Sequence, residues 1–254
     1  MIILKVEQLT KTFGGLVAIQ DLDFEVEEGS IKAVIGPNGA GKTTLFNLIS
    51  GFHSPDQGRV IFNGEDITAL RADQVARKGI GRTFQASTLF MQSTVFNNVF
   101  SAFYRQYRQP GWKAFLHTPK VKREEQAIRM AAIDILEFMG LSAQGDELAT
   151  NLPHGHQRAL GICIALATEP RLLLLDEPLT GMNPSETMEI VRKIRLIQEK
   201  GITILLVEHN MRAVMDLCDR ITVLNYGQKI GEGTPEEIRE NREVAEAYLG
   251  REEA

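Results

Sequence analysis

The run Gly36-Pro37-Asn38-Gly39-Ala40-Gly41-Lys42-Thr43-Thr44 fills every fixed position of the pattern G-x-x-x-x-G-K-[ST], a combination of residue types that suits phosphate binding. Glycines at 36, 39 and 41 let the backbone turn sharply and aim N–H groups inward, and a helix starting behind them adds partial positive charge. On this reading Lys42 reaches β and γ phosphates, Thr43 brings a hydroxyl to Mg²⁺, and Thr44 adds a further phosphate contact, while Pro37, Asn38 and Ala40 complete the loop around the nucleotide. The flanks have the required character. Ile31 to Ile35 is an apolar run broken only by Lys32 and predicts a strand. Lys42 to Ser50, with Leu45, Leu48 and Ile49 at helical spacing and Gly51 as a stop, predicts a helix.

About 130 residues downstream, Arg171-Leu172-Leu173-Leu174-Leu175-Asp176-Glu177-Pro178 predicts a buried strand that ends in two carboxylates. Four consecutive leucines suit a parallel strand covered on both faces, and ligands of open α/β sheets lie at the carboxyl ends of strands. Asp176 would hold Mg²⁺, partly through water. Glu177, aimed differently because strand side chains alternate, would polarise the attacking water as a base. Together the two motifs specify a nucleoside triphosphatase.

The stretch between and beyond them carries a resemblance to a family. Asn151-Leu152-Pro153-His154-Gly155-His156-Gln157-Arg158 resembles the L-S-G-G-Q signature of ATP-binding cassette (ABC) proteins, and Gln85 in Arg82-Thr83-Phe84-Gln85 is similar to their Q-loop. Thr180-Gly181-Met182-Asn183-Pro184 stands where their D-loop follows the carboxylates. His209 in Val207-Glu208-His209-Asn210 resembles their switch histidine, and Phe13 matches the aromatic that stacks on adenine. The ordered elements cover residues 4 to 232. The tail Gly231-Glu232-Gly233-Thr234-Pro235-Glu236-Glu237 and Glu246-Ala247-Tyr248-Leu249-Gly250 is similar to one subfamily, the ATP-binding subunits of branched-chain amino acid importers.

The resemblance implies an ATPase with ATP and Mg²⁺ as cofactors, coupled to transport through separate membrane subunits at the cytoplasmic face. Val17 joins Phe13 among the nucleotide contacts, Gln85 shares in the Mg²⁺ site, and Lys42, Gln85, Glu177 and His209 form the catalytic set. Pro153, His154, Gly155, His156 and Asn183 act in trans on a nucleotide bound by a second ATP-binding subunit. The implied partners are that subunit, two membrane permeases and, indirectly, an extracytoplasmic solute-binding protein. The residues themselves leave the solute open, with urea, short amides and other amino acids beside the branched-chain ones.

The signature departs from the family pattern. Pro153 replaces its serine, His154 one glycine of its pair, and His156 its glutamine, so that only Leu152, Gly155 and the following helix persist. Losing one donor to a γ-phosphate costs roughly 2–4 kcal/mol when nothing replaces it, which favours a heterodimer with a sister ATPase of fuller motif over a homodimer. Either histidine can also be read as a polar turn residue. Asn183-Pro184-Ser185-Glu186 has a second reading as a helix start, with an Asn cap, Pro in the first turn and Glu at the third position. An ATP-binding half-site without catalysis is opposed by intact Lys42, Asp176, Glu177 and His209.

Composition fits a sizeable core, with 254 residues, 43% of them hydrophobic. A net charge of −5 offers no electrostatic footprint for nucleic acid. A soluble ABC clamp on nucleic acid or ribosomes would need a second cassette, a long coiled coil or a basic face, and none is visible. The two cysteines, Cys163 and Cys218, sit in apolar stretches and predict buried reduced thiols. No apolar run approaches the roughly 18 residues of a membrane span, and the N-terminus turns polar too soon for a signal peptide, so a cytosolic chain is expected.

The expected fold is α/β: a P-loop ABC-type nucleotide-binding domain with an antiparallel β subdomain and an inserted helical subdomain. Residues 1 to 34 alternate in polarity, as in Leu4-Lys5-Val6-Glu7, and suggest antiparallel strands, and Arg59 to Phe62 predicts another before the Asn63-Gly64 turn. The expected catalytic core spans 1–85 and 151–234, the helical insertion 86–150, extending into the signature helix from about 155 and with Glu124 to Met139 as its clearest helix, and a short helical tail 235–254 begins at a Thr234 cap. Residues 105–123 carry six basic side chains and no acidic one, which reads as a solvated connection or a docking surface. Leu89-Phe90-Met91 and Val95-Phe96 are expected to form an exposed apolar surface for a membrane partner.

Overall fold

The computed structural model describes residues 1–83, 89–103 and 119–249. The N-terminal alternation makes two long strands, β1 (Ile2–Phe13) and β2 (Leu16–Glu27), which pair antiparallel. Leu4, Val6, Leu9, Ile19, Leu22, Phe24 and Val26 are buried along them, and apart from the buried Ile3 their neighbours are more exposed, the period-two pattern of a sheet with one wet face. β4 (Gln57–Phe62) adds to the other edge of β1, and β5 (Glu65–Asp66) follows across Asn63-Gly64, giving the order β2-β1-β4-β5. Both turn residues have positive φ, 51° and 78°, as a tight hairpin requires.

β3 (Ile31–Ile35) leaves this sheet. It takes a central place in a second one, with β6 (Ile80–Arg82), β7 (Leu172–Asp176), β8 (Thr203–Val207), β9 (Arg220–Asn225) and β10 (Gln228–Gly233), in the order β10-β9-β3-β8-β7-β6. All neighbours in it are parallel except β9 and β10. The expectation of antiparallel strands through residue 34 is corrected here: residues 31–34 lack a wet face, and every residue of β3 is buried.

The four leucines of β7 divide between two hydrophobic clusters. Leu172 and Leu174 join Val34, Leu205, Val207 and Leu224 under α1 (Lys42–Ile49) and the antiparallel sheet. Leu173 and Leu175 join Ile31, Ala33, Ile35, Ile204 and Leu206 on the other face, against helices. Those helices are α3 (Val95–Phe103), α4 (Pro119–Met139), α5 (His154–Leu166), α6 (Pro184–Glu199) and α7 (Met211–Leu217), whereas α2 (Ala72–Arg77) sits before β6. The chain closes with α8 (Pro235–Glu240) and α9 (Arg242–Leu249).

One further expectation changes. Leu89 and Val95 are core residues, Met91 and Phe96 pack against the same cluster, and of that stretch Phe90 alone is largely exposed, at 64%. Phe96 stacks on Phe100 beneath the Arg129 guanidinium. The proposed exposed apolar surface is therefore mostly the inner face of a helix packed on α4. Gln85, and the basic stretch up to residue 118, lie outside the described residues.

Cys163 within α5 and Cys218 just after α7 are buried free thiols. Burial pushes the Cys218 thiol up to about 12 and the Cys163 thiol up as well, and a thiol without thiolate character is a poor nucleophile. Neither should react with a thiol reagent in the native protein, and both should react after unfolding in guanidinium. Rapid labelling of either in the native state would contradict this packing.

Candidate functional site

The phosphate loop joins β3 to α1, and its shape is fixed by contacts with the backbone of other strands. A Cβ on Gly36 would lie 2.1 Å from the Leu224 carbonyl oxygen of β9, and one on Gly41 would lie 2.5 Å from the Ala18 carbonyl oxygen of β2. Gly41 has φ 101° and caps α1 without a side-chain hydrogen bond, and the first turn of α1 holds no acidic residue, which leaves its N–H groups directed at the loop. The Gly227 N–H donates to the Ala40 carbonyl (3.0 Å) and the Gln20 N–H to the Gly227 carbonyl (2.9 Å), stitching the loop to the β9–β10 turn and to β2. Lys42 is buried, with Nζ donating to the Gly36 and Pro37 carbonyls at 2.7 and 3.0 Å. Burial lowers its pKa, opposed by the charges of Glu177 and Asp176.

A cavity of about 340 Å³ opens over the loop, lined by Phe13, Leu16, Val17, Asn38 to Thr44, Glu177, His209 and Tyr226. Phe13 is 43% exposed and packs edgewise with His53, ring centroids 5.4 Å apart. One end of the cavity thus offers an aromatic and aliphatic wall, the other a helix N-terminus and a lysine.

Asp176 ends β7, buried, with Oδ2 accepting from Arg82 Nη2 at 3.1 Å and its N–H donating to Thr83 Oγ1 at 3.0 Å. Arg82 Nη1 also donates to Asn47 Oδ1 and Ser50 Oγ, each 2.8 Å away, so α1 and the carboxylate are joined through one guanidinium. Burial lowers the Arg82 pKa and the Asp176 charge opposes this. Glu177 adopts φ 49°, an uncommon conformation for a residue with a Cβ and one that re-aims its side chain. Its Oε1 lies 3.0 Å from His209 Nε2, and Oε2 accepts from Thr180 Oγ1 at 3.3 Å. Asp176 and the Thr43 hydroxyl are hard oxygen donors in the number with which a protein commonly holds Mg²⁺ beside substrate phosphates.

The signature segment stands apart. Pro153 is the N-cap of α5 and, having no hydroxyl, makes no side-chain cap bond. Pro153 and His154 are exposed, Gly155 is buried, and His156 is half-buried with Nδ1 enclosed and without a hydrogen-bond partner. The carboxylate of Glu186 would lie 3.2 Å from a Cβ on Gly155. Asn183 caps α6 in a reciprocal box, its Oδ1 accepting the Glu186 N–H at 3.0 Å and its N–H donating to Glu186 Oε2 at 2.9 Å. None of Pro153, His154, Gly155, His156 and Asn183 lines the phosphate-loop cavity.

Family comparison agrees with this geometry. The model described as "ABC transporter" matches residues 19–180, and that of the "Branched-chain amino acid ATP-binding cassette transporter" matches residues 228–254. The chain belongs to the ABC transporter family. Membership makes the chain an ATP-binding ATPase. The chain is 41% identical, over 98% of both sequences, to the high-affinity branched-chain amino acid transport ATP-binding protein BraF of Pseudomonas aeruginosa, and equally so to LivG of Escherichia coli. The crystal structure of a nucleotide-free ATP-binding cassette from an ABC transporter superposes with a TM-score of 0.86 at 34% identity, covering 99% of this chain and 100% of that one.

Sequence reasoning passed over Arg82, Glu208, Leu16 and Tyr226. Arg82 precedes Gln85 by three positions, but only the fold brings it to Asp176. Replacing it with Met leaves a buried carboxylate without its counter-charge, so Arg82→Met should lose about 3–5 kcal/mol in urea unfolding. A loss below about 1 kcal/mol, the value of a surface pair, would show that solvent already screens it.

Proposed function

We propose that this ABC ATPase drives import of branched-chain amino acids through separate membrane subunits. The observation that carries the hydrolytic part is the Glu177–His209 pair at 3.0 Å, facing Lys42 across one cavity. Close identity to BraF and LivG along the whole chain supports the solute class.

Loop N–H groups and the α1 N-terminus receive the phosphates, and Lys42 moves its three donors from the Gly36 and Pro37 carbonyls to phosphate oxygens. Phe13 and Val17 hold the base. Asp176 and Thr43 are the described residues that would hold Mg²⁺, which would supply neutralisation of phosphate charge. Glu177 orients a water against the γ-phosphorus and accepts its proton as the bond to the leaving ADP oxygen breaks. His209 Nε2 would transfer its hydrogen bond from Glu177 Oε1 to a γ-phosphate oxygen.

Pro153, His154, Gly155, His156 and Asn183 would complete the site of a second ATP-binding subunit, and the altered signature favours a sister chain over a second copy. A groove of about 260 Å³, lined among others by Phe52, Ala72, Ala76, Arg82, Ile164 and Thr168, is the better docking candidate for a membrane subunit. Among the described residues no helix is long and apolar enough to cross a membrane.

Glu177→Gln should cut ATP turnover at least about 100-fold while ATP still binds, seen as a stable ATP-bound dimer, whereas rapid turnover would remove Glu177 from the role of base. Pro153→Ser should restore a helix cap, adding about 1 kcal/mol of stability, and speed hydrolysis in the opposite site. A stabilised protein with unchanged turnover would show that other donors serve the γ-phosphate. In the host, Lys42→Ala should abolish uptake of leucine, isoleucine and valine. Unaffected uptake of all three, with no second importer present, would overturn the assigned solute.

A further inference from the structure

Glu208 has the environment of a working residue and no part in the chemistry above. It follows the apolar strand β8 and precedes His209, and it is 3% exposed. A carboxylate so enclosed needs compensation. Here that comes from the backbone: Oε1 accepts the Leu179 N–H at 2.8 Å, and Oε2 accepts the N–H groups of His209 at 2.9 Å and Asn210 at 3.2 Å.

These three donors belong to two different loops. Leu179 lies two residues beyond Glu177, in the segment leading to Asn183, while His209 and Asn210 begin the turn into α7. Above this carboxylate, the same two loops meet through His209 Nε2 and Glu177 Oε1. Glu177 is in addition held at φ 49°, with its N–H donating to the Val207 carbonyl at 2.9 Å. The Glu177 and His209 side chains are 26% and 42% exposed, whereas the Glu208 carboxylate that joins their two loops is buried.

We propose that Glu208 is a positioning residue for hydrolysis, a buried carboxylate clamp that fixes the His209 turn to the loop after Glu177 and so sets the Glu177–His209 spacing. The proposal rests on the reading of Glu177 and His209 as the hydrolytic pair. A carboxylate fits because its two oxygens accept from both loops at once. A glutamine keeps one acceptor oxygen and turns an NH₂ group toward N–H donors on the other side, which releases one loop.

The test is a double-mutant cycle on the full chain, in whichever state, alone or with its co-purified partners, the wild type turns over ATP. Glu208→Gln should lower kcat about tenfold or more with KM for ATP changed less than about threefold, the split expected when transition-state geometry and not substrate binding is lost. Because Glu208 acts through His209, the double variant E208Q/H209A should be no slower than H209A alone. Losses that simply multiply, or a normal kcat in E208Q, would overturn the clamp. Full activity of H209A would instead overturn the underlying assignment of the pair. Should E208Q not fold, E208D, which keeps the charge but shortens the reach, takes its place in the same cycle. Failure of both to fold would make Glu208 purely structural.

Discussion

The nucleotide site depends on one close approach of backbone to backbone. The phosphate loop passes so near the carbonyls of Leu224 and Ala18 that side chains at 36 and 41 would stand 2.1 and 2.5 Å from them. Glycine at these two positions is thus demanded by the neighbouring strands as much as by any ligand. The consequence reaches across the molecule, because β2 belongs to the antiparallel sheet and β9 to the parallel one. The loop, the β9–β10 turn and β2 are joined in series by the Ala40–Gly227–Gln20 hydrogen bonds, and the two sheets are held in register around the loop. Phe13 and Val17, at the end of β1 and the start of β2, come to the same cavity for that reason.

A second constraint acts at the carboxyl end of β7. Asp176 and Glu177 are adjacent, yet one is buried against Arg82 and the other turned toward His209. The left-handed backbone at Glu177 separates them. One carboxylate faces a fixed cation tied to α1, and the other an imidazole on a turn. The different roles proposed for the two carboxylates rest on these environments, since the side chains themselves differ by only one methylene.

Much of this was legible in the sequence, and the reason is local. The phosphate loop, the four leucines before Asp176 and the caps at Asn183 and Thr234 each express their meaning within a few residues, and both caps appear as reciprocal boxes. Arg82 and Glu208 were not legible. Their roles come from contacts 94 and 29 residues away in sequence, and a lone arginine in a short strand or a glutamate beside a histidine carries no periodicity to read. Leu89 and Val95 were misjudged for a related reason: an apolar run reports burial without saying against what, and the cluster that covers them includes α4, far along the chain. Residues 31–34 show the same ambiguity, since a short apolar run fits a wet-faced strand as well as a buried one until its neighbours are known.

The close approaches at Gly36 and Gly41 mean that the loop is built by the strands around it before the nucleotide arrives. A crystal structure of Glu177→Gln with ATP and Mg²⁺ tests it most directly. The account predicts a loop backbone unmoved against Ala18 and Leu224, Lys42 Nζ transferred from the Gly36 and Pro37 carbonyls to β and γ phosphate oxygens, and His209 within hydrogen-bond reach of the γ-phosphate. A loop that refolds around the nucleotide, or a Lys42 that stays on its carbonyls with ATP bound, would contradict it.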